Sequence, residues 1–68
     1  MELKYLNFSR YVKAIGWENG VLEVHTSGGI IYRHKNVPQE AFSKFFETSD
    51  YANNYSLIKA KYPGKRIN

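Results

Sequence analysis

The chain has 68 residues, enough for one domain, and its ten Lys and Arg against six Asp and Glu give a formal net charge of +4. It contains no cysteine, which excludes disulfides and thiolate metal sites, and no apolar run long enough for a membrane-spanning helix. A domain of this size buries only about 60% of the surface its unfolded chain exposes, so its core has to be efficient.

One Trp, six Tyr and four Phe meet that need, because each ring can bury roughly 150–250 Å². Residues 1–8, ending at Phe8, mix Glu2 and Lys4 with Leu3 and Leu6. This lead-in reads as neither a signal peptide nor a membrane span, and a soluble cytoplasmic protein is the default expectation.

Along the chain, Ile15 and Trp17 alternate with Ala14 and Gly16, which predicts a strand near 11–18. Asn19-Gly20 supplies the two residues with positive φ that a tight type I′ turn requires, so the strand folds back onto a second near 21–27. A two-residue loop pairs Glu18 with Val21, Trp17 with Leu22, Gly16 with Glu23 and Ile15 with Val24. That register gathers Ile15, Trp17, Leu22 and Val24 on one face.

After Ser27-Gly28-Gly29 a third strand is expected near 30–36. A two-residue loop would put Arg33 across from Val24 on the apolar face. A three-residue loop pairs Val24 with Tyr32 and Glu23 with Arg33, placing an ion pair outside, and this is the predicted register.

Val37-Pro38 ends the sheet region, because proline lacks a ladder donor but fits the first turn of a helix. The spacing of Ala41, Phe42, Phe45 and Phe46 predicts a helix near 38–47. Ser49 is the expected N-cap of a second helix near 50–62, whose stripe is Tyr51, Tyr55, Ile58 and Tyr62. Pro63-Gly64 stops it, and residues 65–68 are expected to form a frayed basic tail. The fold class expected is therefore α+β: a three-stranded antiparallel β-meander followed by two helices packed on one of its faces.

The ordered landmarks Ser9, Val12, Ile15-Gly16-Trp17, Leu22-Glu23-Val24, Gly29 ahead of Tyr32, Val37-Pro38, Ile58 and Tyr62-Pro63 resemble the KTSC domain. That short domain is named for its place at the C-terminus of some lysyl-tRNA synthetases, and it also occurs alone in small bacterial and phage proteins. The likeness runs from about Ser9 to Arg66. The family is generally described as of unknown function, with RNA binding proposed from its synthetase context, so the resemblance implies a small RNA-linked module.

The chain departs from the family at three points. The family's central Tyr-x-Tyr reads Tyr32-Arg33-His34, its second Ser is Arg10, and the Asn usually three residues before Ile58 is Tyr55, with Asn54 one position earlier.

No catalytic constellation stands out. His25 and His34 have no sequence neighbours that would form a metal site or a Ser-His-Asp set. His34 falls in phase with Tyr32 at the end of the inner face, where an imidazole bonded to backbone is expected. Gly28-Gly29 lies in a hairpin turn and lacks the lysine and following helix of a phosphate loop. Neither an enzyme nor a cofactor is expected.

The basic residues carry the functional expectation. Lys59, Lys61, Lys65 and Arg66 follow an acid-free stretch beyond Asp50, and Arg33 and Lys35 flank the outer face of the third strand. Phosphates are the partner such cations suit, which makes RNA the first expectation; a protein-interaction domain, for example a phage-encoded modulator of a host protein, is the alternative. On a helix Lys59 and Lys61 are about 200° apart, so at most one can join a single phosphate row. The sequence does not set the oligomeric state.

Overall fold

The computed structural model describes residues 1–7 and 9–68. Phe8, one of the rings counted above, lies outside the described residues. The elements in chain order are β1 (Leu3–Tyr5), β2 (Val12–Glu18), β3 (Val21–Thr26), β4 (Ile31–His34), α1 (Gln39–Phe45), α2 (Tyr51–Lys61) and β5 (Gly64–Arg66). The strands form one antiparallel sheet in the order β1-β2-β3-β4-β5.

Both hairpins follow from their turn chemistry. Asn19 and Gly20 adopt φ of 49° and 82°, and the four pairs from Glu18↔Val21 to Ile15↔Val24 form in the expected register. At the second turn Gly29 takes the left-handed position with φ 83°, Thr26 N donates to Ile30 O at 2.9 Å, and Val24 pairs with Tyr32. The three-residue loop therefore stands, and it keeps Arg33 off the core face.

Strict alternation from Ile15 would have turned Lys13 inward. Instead the register shifts between Val12 and Ala14, a β-bulge that leaves Lys13 exposed and buries Val12 against Thr26. One extra residue in the strand thus exchanges a buried charge for a buried valine.

The apolar face of the meander meets the helices in one core of Val12, Ile15, Leu22, Val24, Val37, Phe45, Tyr55 and Ile58. Trp17, Tyr32, Ala41, Phe42, Phe46, Tyr51 and Tyr62 pack half-buried around it. Trp17 closes one end by donating its indole N–H to Val37 O at 2.7 Å. The two helices are tied through Asn54, whose amide donates to Phe45 O at 2.9 Å and to Thr48 O at 3.3 Å. The cap of α2 is Asp50 rather than Ser49: the Asp50 carboxylate accepts from Asn53 N at 3.4 Å.

Two further corrections concern the chain's ends. The meander has five strands, not three, because part of the lead-in forms β1 and part of the supposed tail forms β5. The tail is not frayed. Ile67 N donates to Ile31 O at 2.9 Å, and the Asn68 side chain accepts from Ile31 N and donates to Gly29 O, at 2.9 and 2.7 Å. No helix among the described residues is long and apolar enough to cross a membrane.

Candidate nucleic-acid interface

With both helices on one side, the other face of the sheet is open, and cross-strand pairing lays its side chains out in rows. One row runs Leu3, Gly16, Glu23, Arg33, Lys65; the next runs Tyr5, Ala14, His25, Ile31. Lys65 thus stands beside Arg33, and Tyr5 shares the face with His25 and Ile31. Tyr5 is the most exposed large hydrophobic residue described, at 76%.

Gly16 is what lets β1 sit where it does. A Cβ there would fall 2.7 Å from Glu2 O and 2.9 Å from Leu3 Cδ2, so only a bare backbone lets the first strand pack this closely over β2. The small Ala14 beside it is buried between larger neighbours.

At the centre of the face, Glu23 is held on both sides. Its carboxylate accepts from Arg33 Nε at 2.9 Å and bonds His25 Nε2 at 2.7 Å. The hydrogen bond with His25 is the main cause holding the Glu23 carboxyl below its ordinary range, against partial burial, with the Arg33 bond adding to it. The Glu23 side chain is only 14% exposed whereas that of Arg33 is 52% exposed, so the pair presents its cationic side to solvent. Arg33 is also the one Lys or Arg among the described residues with a carboxylate within 4.0 Å. The remaining cations of this face are free for an external anion.

The six expected cations do not form one patch. Arg33 and Lys65 are adjacent on the open face, and Lys35 follows β4 as an exposed residue. Arg66 pairs with Tyr32 and so belongs to the opposite face of β5. Lys59 lies over the rings of Tyr55 and Tyr11, at 5.1 and 5.9 Å from their centroids, and Lys61 lies 5.7 Å from that of Tyr62. The two helical lysines attend different rings on the helix side.

Tyr32 and His34 both face the core side. His34 is buried. Its Nδ1–H donates to Tyr62 O at 2.6 Å, which leaves Nε2 to accept from the Tyr55 hydroxyl at 2.9 Å. Burial pushes the imidazole below its ordinary range, the Tyr62 carbonyl opposes this, and nearby Lys59 adds to it. Burial, with the phenols of Tyr11 and Tyr32 nearby, raises Tyr55 far above the ordinary tyrosine value. The three groups form a closed structural clasp between β4 and the end of α2. Among the described residues no three His, Asp or Glu gather as metal ligands.

Sequence reasoning missed Tyr5. Leu3 and Tyr5 do alternate with Lys4, but a three-residue run is too short for periodicity to register. No protein-family model matches the chain, and no curated protein matches it. The KTSC resemblance therefore rests on the residues alone.

Proposed function

We propose that this protein is a non-catalytic module that binds single-stranded RNA across the open face of its sheet. The observation that carries the reading is the placement made by the two outer strands: β1 brings the exposed ring of Tyr5 and β5 brings Lys65 beside Arg33 on one surface. Single-strand binding needs a ring on which a base can stack and cations that follow the backbone, and this face offers both. The KTSC resemblance supports the same reading through its synthetase context.

Lys35 and Lys65 would neutralise about two phosphates, because Arg33 is already offset by Glu23, which sets the slope of log K against log salt near about −1.4 for a single strand and makes binding weak at physiological salt. The test is a fluorescence anisotropy titration of a labelled 12-nucleotide mixed-sequence RNA at several salt concentrations. Lys65→Gln should flatten the salt slope by about 0.7 with little sequence dependence. Tyr5→Ala should weaken binding by about 1–3 kcal/mol and leave the slope alone. Wild type that fails to bind at low salt, or a Tyr5→Ala variant that binds as wild type does, would reject the surface.

A further inference from the structure

Helices α1 and α2 leave a cleft of about 250 Å³ between them, on the side of the molecule away from the open sheet face. Its apolar lining comes from Ala41, Phe45, Leu57 and Ile58, and its charged lining from Lys44, Lys61 and Glu40. Phe45 and Ile58 are core residues seen from outside, but Leu57 is 65% exposed and adds nothing to the core. One exposed leucine means little by itself. Here it borders a cavity whose two cations have no carboxylate within 4.0 Å.

The volume falls below the roughly 300–1,000 Å³ of typical small-molecule sites, and it suits one or two apolar anchor side chains inserted from a helix laid in a groove. Charge selects the occupant. Lys44 stands in the last turn of α1 and Lys61 in the last turn of α2, against the single acid Glu40. Asp50 is the last acid in the chain, so the later turns of α2 carry no countercharge. A second copy would present the same cationic rim on a molecule of net charge +4 and would be repelled. The rings in the lining, buried Phe45 and half-buried Tyr62, offer an RNA base no open face on which to stack.

We infer that the α1–α2 cleft is a docking site for an acidic amphipathic segment of a partner protein, with an apolar anchor beside Leu57 and carboxylates meeting Lys44 and Lys61. The inference is independent of RNA binding, because the two surfaces lie on opposite sides of the molecule and can be occupied together.

The probe is a designed 14-residue helical peptide with leucines four residues apart and glutamates flanking them, paired with a control in which every glutamate is lysine. Binding is read by anisotropy and by amide shift changes in the labelled protein. The acidic peptide should bind with Kd on the order of 10–100 µM, as a small charged groove allows, and the basic one at least tenfold more weakly. Shift changes should concentrate on residues 38–45 and 54–62. Leu57→Ser and the double variant Lys44→Glu/Lys61→Glu should each weaken binding about tenfold, and the thermal midpoint of Leu57→Ser should stay within a few degrees of wild type because that side chain is exposed. Equal binding of both peptides, no saturable binding, shift changes confined to the sheet face, or dimerisation through the cleft would each overturn the inference.

Discussion

β2, β3 and β4 send Val12, Ile15, Leu22, Val24, Thr26 and His34 into the interior, whereas β1 contributes one half-buried leucine and every residue of β5 is exposed. The central meander is held by apolar side chains packed on the helices. The flanking strands are held by backbone pairing and by close approach at glycine. At Gly64 a Cβ would fall 2.6 Å from Arg33 O and would also strike the His34 ring, just as one at Gly16 would strike Glu2 O. The contrast separates two structural roles: the middle of the sheet supplies the core, and the edges supply Tyr5 and Lys65 to the open face.

The largest expected effect breaks the central region. Phe45 is 1% exposed and packs against Phe46 and Tyr51 with ring centroids 5.1 and 5.2 Å apart. Phe45→Ala should cost about 3–5 kcal/mol in urea denaturation, enough to unfold much of the population of so small a domain. A loss below about 1 kcal/mol would show that the ring is dispensable.

An intermediate effect is expected at the edge. Gly64→Ala should cost about 1–3 kcal/mol, because the obstructing atoms are the Arg33 backbone carbonyl and the buried His34 ring, which is hydrogen-bonded at both nitrogens, so neither can swing aside. Hydrogen exchange should show loss of protection at the Ile67 amide, with the β2–β3 amides still protected. Gly28→Ala is the control, since nothing lies within 4 Å of a Cβ there. Equal behaviour of the two variants would mean that β5 does not depend on the close approach.

The smallest effect sharpens the boundary between the regions, where His34 joins β4 to the end of α2. Its pKa is lowered on folding from the ordinary 6.5, so below about pH 6.5 the unfolded chain binds more protons and stability falls with pH. Glu23, also lowered, loses its contribution only as pH falls below about 4.5. Between pH 7 and 5 the thermal midpoint should therefore drift down by a few degrees, and His34→Gln should flatten the drift whatever its own stability. A drift of the same slope in that variant would assign the effect elsewhere.

What the sequence determined by itself was local. Asn19-Gly20 and the glycine of the second hairpin dictate their turns because few other residues accept positive φ. The two registers follow because a slip of one residue would turn an apolar face to water, and the spacing of Phe42, Phe45, Tyr55 and Ile58 marks the buried sides of both helices. Tertiary structure decided the rest. β1 and β5 are three residues each, too short for a pattern, and they become strands only because the meander offers them an edge to pair with. The bulge at Lys13 exists because an inward lysine would be a buried charge. The partners of His34 lie 21 and 28 residues away along the chain. The division of the cations among separate surfaces likewise depends on strand pairing and on which rings the helical lysines cover, neither of which is written in the spacing of the basic residues.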